Sequence, residues 1–253
     1  MARDARLLSF GRFDGVPPRL TTSGWLRLAV LRRLLAPGVR TILEIGAGTG
    51  GLGSLLAREL DYTGLEPDER SHSAAARLLG DRVLQLREEE LAPATFDAVL
   101  AFEVLEHLED DVAALRRWRS RVSPGGYLYL SVPTGRDRFG SLDVKAGHFR
   151  RYDRADLERA LEEAGYSEPV IVNYGFPITN LLLAGMHVAA RRSRVRHLPM
   201  EARTAASGRW LQPTRRTAAA TRALAWPFEL AQRPFAGTSL GTGFVSRARV
   251  QDA

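Results

Sequence analysis

Apolar residues fall at helical spacing over residues 24–36, "GWLRLAVLRRLLA", and the pattern stops at Pro37-Gly38. That spacing predicts an amphipathic helix ended by a turn. A short continuous apolar run follows, "RTILEIG" (40–46), with the look of a buried strand feeding a glycine loop. From there the two periods alternate. "GLGSLLARELD" (51–61) predicts a helix, "YTGLEPD" (62–68) a second strand and "ERSHSAAARLLGD" (69–81) a second helix. "RVLQLREEE" (82–90) predicts a third strand, and "FDAVLAFEVLEHL" (96–108) a fourth that turns into helical spacing. "DDVAALRRWRSRVSPGG" (110–126) predicts a helix ended by Pro124-Gly125-Gly126, and "YLYLSVP" (127–133) a fifth strand. Beyond residue 150 come a helix, "RADLERALEEAG", with Asp153 as its N-cap, and a strand, "PVIVNYG". The last strand-like run, "GTGFVSRARV", begins only at residue 241.

Strands alternating with helices and bounded by turn residues predict an α/β fold: a Rossmann-like, doubly wound, mostly parallel seven-stranded sheet with helices on both faces. The same pattern divides the chain into an N-terminal helical segment (1–39), a Rossmann-like core (40–174), a helical insertion (175–240) and a final strand of the core sheet (241–253). Ligands of such sheets lie at the carboxyl ends of the strands, near the reversal of strand order. Glu44–Gly50, Glu66, Glu88, Glu89 and Phe102–His107 all fall at such ends.

Composition narrows the chemistry. The chain has 253 residues and no cysteine, which excludes disulfides, thiolate nucleophiles and cysteine zinc sites. Its net charge is +7, and Lys145 is the only lysine. Arginine in such excess suits phosphate recognition, though the favoured reading is a GC-rich coding sequence. The stretch "FPITNLLLAGMHVAA" (176–190) is shorter than the ~20 residues of a bilayer span and contains Asn180 and His187. Without a signal-peptide pattern at residues 25–35, the expected location is the cytoplasm.

"EIGAGTGG" (44–51) satisfies the dinucleotide fingerprint through Gly46, Gly48 and Gly51, and the run Gly46-x-Gly48-x-Gly50 suits S-adenosylmethionine equally well. The segments after it separate the two. "ILEIGAGTG", "GLEPD", "FDAVLAFEVLEHL", "PGGYLYLSVP" and "GHFRRYDRADLERALEEAG", with a terminal strand completing the sheet, resemble the class I S-adenosylmethionine-dependent methyltransferases. The likeness covers roughly residues 40–175 and 241–250, and within the class it is to the small-molecule branch that includes ubiquinone-biosynthesis O-methyltransferases. It implies that Glu44, Gly46, Ala47, Gly48 and Gly50 hold the methionine part and ribose of the donor. It also implies that Glu66, beside Pro67 and Asp68, takes both ribose hydroxyls. Glu88 or Glu89 would contact the adenine amino group, and Phe102 and Glu103 would flank the transferable methyl.

Methyl transfer is a direct displacement, and a hydroxyl nucleophile also needs a base. His107 and His148 lie in suitable segments, and an imidazole titrates near pH ~6.5. Were the turn after strand four helical, Glu103, Glu106 and His107 would share a face. With His148 they resemble the metal site of the small-RNA 3′-end 2′-O-methyltransferases, which implies a Mg²⁺, Mn²⁺ or Zn²⁺ set.

The insertion precedes the last strand, so it is expected beside the acceptor. Its stretch 178–196 is apolar first and basic second. Three readings stay open for it: a lid over a greasy acceptor, a helix on an anionic membrane surface, or a plain core-covering helix. Trp210, Trp226 and Phe228 are expected in the core. The acceptor expected overall is a small or lipid-like molecule methylated at oxygen. The alternatives are a nucleic-acid methyltransferase using the arginines, although "RRSRVR" has no interleaved aromatics, and a non-catalytic donor-binding protein. The sequence carries no signal of oligomeric state.

Overall fold

A computed structural model describes residues 18–182, 212–214 and 216–251. Helix α1 (Thr22–Leu34) begins at Thr21, whose side chain accepts from the Gly24 amide. The core then follows as β1 (Thr41–Ile45), a single helical turn α2 (Gly53–Leu56), β2 (Asp61–Leu65), α3 (Glu69–Leu79), β3 (Val83–Leu84) and β4 (Phe96–Phe102). After it come α4 (Asp111–Arg119), β5 (Val122–Pro133), α5 (Ser141–Ala146), α6 (Arg154–Glu163) and β6 (Ser167–Tyr174). The described end of the chain holds α7 (Ala218–Ala225), α8 (Phe228–Ala231) and β7 (Gly243–Arg249).

The seven strands form one sheet in the order β3-β2-β1-β4-β5-β7-β6. The first five are parallel, and β7 runs antiparallel to both β5 and β6. Strand order reverses between β1 and β4, as expected of a ligand site at the strand ends. The continuous apolar runs of β1 and β4 are explained by burial on both faces. Ile42, Ala98 and Leu100 pack with Trp25, Leu31, Tyr62 and Tyr129 under α1. Leu43, Val99 and Ala101 pack on the other face with Leu115, Trp118, Leu157 and Leu161 of α4 and α6.

Several elements differ from the sequence expectation. The helix over 51–61 shrinks to one α-turn, because Arg58 and Glu59 bond back to Leu55 and Leu56, three residues behind, and tighten the end. The third strand keeps two residues. Its tail folds into a 3-10 turn at Glu88–Glu90, where the Arg87 amide donates to Glu90 Oε2 at 2.6 Å. Helix α4 ends at Arg119 and pairing resumes at Val122, so the Pro-Gly-Gly lies inside β5 beside a register shift. The final strand expected in the core sheet is present, and its place, left open by the sequence, is between β5 and β6. Asp153 is the N-cap residue of α6, but its carboxylate accepts from the Arg136 amide rather than capping the helix.

Of the insertion, α7 and α8 lie against α1. The Thr221 hydroxyl donates to Leu20 O, Gln232 Nε2 donates to Leu26 O, and the Arg222 guanidinium sits 4.9 Å from the Trp25 ring. Trp226 is 68% exposed rather than in the core, because it falls at the corner between α7 and α8. Phe228 is partly buried against the α1 side of the core. Trp210 and the portion 183–196 of the apolar-basic stretch lie outside the described residues. Among the described residues, no helix is long and apolar enough to cross a membrane.

Candidate active site

The strand ends open onto a cavity of about 1390 Å³ lined by every sequence-predicted site residue except Gly50 and Glu106. The glycine loop shapes one end. Gly46, Gly48 and Gly50 have φ of 74°, 57° and 78°, a region that glycine enters without steric cost. The missing side chains serve different ends. A Cβ on Gly46 would meet Val104 Cγ2 at 2.6 Å, and one on Gly50 would meet the Ala75 backbone at 2.9 Å. At Gly48 nothing lies within 4 Å, so that glycine presents bare backbone to the cavity. Gly46 and Ala47 donate their amides to Leu65 O, tying the loop to β2.

Glu66, buried at the end of β2, accepts from the Gly48 amide through Oε2 (2.7 Å) and from the Asp68 amide through Oε1 (2.9 Å). A buried carboxylate beside a glycine loop at the end of strand two fits a ribose-bearing donor. Asp68 caps α3 by accepting from Ser71 N. Glu44 is buried in β1 and accepts the Tyr62 hydroxyl at 2.5 Å. Burial lifts its carboxyl to about 8, with the Tyr62 bond opposing and the Glu66 charge adding. Glu88 and Glu89 also line the cavity, but their carboxylates are engaged. Glu88 holds Arg121 at 2.8 Å and Arg117 at 3.6 Å, and Glu89 holds Arg117 at 3.3 Å.

At the end of β4, Phe102 is followed by Glu103 with φ of 57°. A left-handed turn costs a residue with a Cβ about 1–2 kcal/mol. Here the Glu103 amide is anchored on Ser131 O, and Glu103 Oε1 accepts the Ser131 hydroxyl at 2.7 Å. Arg27 of α1 lies 3.4 Å from the same carboxylate. Burial would raise the Glu103 carboxyl, but Arg27 and Ser131 hold it below the ordinary carboxylate range. Arg27 Nη2 also donates to the Tyr174 hydroxyl, and the guanidinium stands 5.7 Å from the Phe102 ring.

The 3-10 turn Leu105–His107 comes next. Glu106, His107 and His148 gather there, with ligating atoms within 4.8 Å of one another. Glu103 is not in this group, because its left-handed φ breaks the helical register and turns it to Ser131 and Arg27. The four-residue set expected from the 2′-O-methyltransferase likeness is thus three residues. His107 Nδ1 faces the Gly147 carbonyl at 3.1 Å, and burial followed by the neighbouring His148 pushes it down to about 4. His148 Nδ1 faces Asp143 Oδ1 at 2.9 Å, and the two imidazoles meet edge to face at 4.8 Å.

Sequence reasoning missed Arg27, Ser131, Asp143 and Tyr174. Arg27 alone left a signal, as a charge on the apolar stripe of α1 between Trp25 and Leu31. The others reach the site from β5, α5 and β6 without any local pattern.

A doubly wound sheet with a glycine loop and a strand-two acid defines a nucleotide-type binding domain. The chain belongs to a methyltransferase-domain family whose model matches residues 24–168. It is 36% identical over 112 residues to a ubiquinone biosynthesis O-methyltransferase of Xanthomonas campestris pv. campestris, a match covering 41% of this chain. That match spans 46% of the curated relative, about half its length. An uncharacterized methyltransferase of Mycobacterium sp. (strain JLS) is 30% identical over 186 residues, covering 66% of this chain and 74% of that one. Two solved structures share the fold at low identity. A Thermotoga maritima S-adenosylmethionine-dependent methyltransferase, described as a possible histamine N-methyltransferase, has a TM-score of 0.54 at 20% identity over 90% of this chain and 89% of its own. Phosphoethanolamine N-methyltransferase 2 of Haemonchus contortus, in complex with S-adenosyl-L-methionine, has a TM-score of 0.57 at 17% identity over 90% of this chain and 52% of its own.

Proposed function

We propose that the chain moves a methyl group from S-adenosylmethionine to a hydroxyl of a small or lipid-like acceptor, with His148 as the base. One observation carries this reading: the Gly48–Glu66 seat and His148 line one cavity, with Phe102 and Glu103 at the end of β4 between them in the sequence order of the strand ends. The donor supplies a methyl already activated on a sulfonium, so the protein's part is alignment and proton removal. Glu66 binds the ribose, Gly48 lets the backbone approach, Glu44 faces the methionine part, and Phe102 with Glu103 borders the transfer point. His107, depressed to about 4, is a weak base near neutrality. The cavity exceeds the ~300–1,000 Å³ of an ordinary small-molecule site, leaving room for an acceptor beside the donor.

Incubation of the purified chain with methyl-labelled donor and a total cell extract tests the reading. Label is expected in the organic-soluble or aqueous small-molecule fraction, and organic label identifies a lipid-like acceptor. Label in RNA or protein would sink the small-molecule reading. Donor binding without transfer to any fraction would make the chain a non-catalytic binder.

A further inference from the structure

We propose that Asp143 is the positioning residue that makes His148, rather than His107, the base of this site: it holds the Nδ1–H of His148 and leaves Nε2 as the lone-pair nitrogen facing the reaction. The inference rests on the methyl-transfer reading above and names a residue to which that reading gave no part.

Asp143 is 1% exposed, in the first turn of α5. Its Oδ1 accepts from His148 Nδ1 at 2.9 Å and from Arg151 Nε at 2.8 Å, and its Oδ2 accepts from the Gly140 amide at 2.9 Å. Burial would raise this carboxyl, but the bonds from His148 and Arg151 bring it down to about 2. A carboxyl that already accepts from the Arg151 guanidinium and the Gly140 amide serves as an acceptor, so the His148 nitrogen beside it carries the hydrogen. Nε2 is then the basic nitrogen. Its nearest carboxyl is Glu106, with Oε1 at 4.0 Å, beyond hydrogen-bond reach.

The neighbouring histidine is held by the same stretch of chain but by a different chemistry. Gly147, at the C-cap of α5 with φ of 84°, offers His107 Nδ1 a carbonyl. A carbonyl fixes a tautomer but adds no full negative charge, whereas a carboxylate also stabilises the imidazolium that forms in reaction. Residues 140–148 thus orient both rings and set a full negative charge against one. In the step itself the acceptor O–H proton passes to His148 Nε2 as the new O–C bond forms. The S–C bond breaks and its electron pair stays on sulfur, and the imidazolium is paired with Asp143.

The test uses the full chain. Two-bond ¹H–¹⁵N spectra of the wild type are expected to show a protonated Nδ1 and a bare Nε2 at His148. Asp143→Asn is expected to lower kcat by about 10²-fold or more, the scale of general-base catalysis. The acceptor is the fraction that takes label in the wild type, and donor Kd is expected to stay within about twofold because the change touches no group at the donor seat. Asp143→Glu, which keeps the charge, is expected to recover part of the loss. A protonated Nε2 in the wild type, or Asp143→Asn with undiminished kcat, would overturn the proposal. Should Asp143→Asn not fold, the wild-type spectrum alone decides. A wild type that transfers no methyl at all would fell the methyl-transfer reading and this inference with it. An inverted tautomer with transfer intact would fell only the inference.

Discussion

Two buried carboxyls show how a single residue's surroundings set its chemistry. Glu44 rises from an ordinary 4.5 to about 8 because its charge would be buried. Between those values the native state keeps a proton that the unfolded chain has lost. The stabilisation is therefore full below 4.5 and is lost as pH rises through about 8. Without ligand, the Tm of the wild type is expected to fall relative to Glu44→Gln across that window, and parallel profiles would contradict the burial argument. Glu106 is pushed well above the carboxylate range by burial, then by the Glu103 and Asp143 charges. A carboxyl pushed toward its protonated form competes poorly for a cation. Turnover after EDTA treatment and buffer exchange is accordingly expected to be unchanged. A loss restored by Mg²⁺ or Mn²⁺ would move His148 from base to ligand.

At the scale of elements, two glycines of one loop separate binding from packing. Gly50→Ala places a Cβ 2.9 Å from the backbone of α3 at a φ of 78°. It is expected to lower stability by about 1–3 kcal/mol, as overpacking does, seen as a shift of the denaturation midpoint. Gly48→Ala has open space around its Cβ and a φ of 57°. It is expected to cost only about 1 kcal/mol of stability, while donor affinity measured by calorimetry falls tenfold or more because the methyl enters the cavity (~1.4 kcal/mol). Equal effects of the two changes on affinity would deny the loop its binding role.

Across the whole molecule, the insertion reaches the site directly at Gln212, which lines the cavity, and also through α1. Gln232 is 3% exposed and bridges two backbones: its Oε1 accepts the Gly175 amide and its Nε2 donates to Leu26 O. Leu26 precedes Arg27, so this bond braces the helix that delivers a guanidinium to Glu103. Gln232→Ala leaves the Gly175 amide unpaired and removes from Leu26 O a second donor beyond its helical one, and is expected to destabilise the chain by about 1–3 kcal/mol in urea unfolding. An unchanged midpoint would show that α1 is held without it.

What the sequence determined by itself was whatever depends on neighbours close along the chain. The alternation of periods marked the parallel core, the glycines marked the loop, and position after an apolar run marked Glu44 and Glu66 as strand-end acids. Hydrophobic spacing encodes burial, and turn residues encode backbone shape, so both can be read locally. It was mute where partners lie far apart in the chain. The tertiary structure alone placed β7 between β5 and β6, turned Glu103 away from Glu106 and His107, and joined Arg27 to Tyr174. It also set Asp143 of α5 against His148 rather than His107. These outcomes depend on which strands pair and which side chains meet after packing, and a pairing across the fold leaves no period in the sequence.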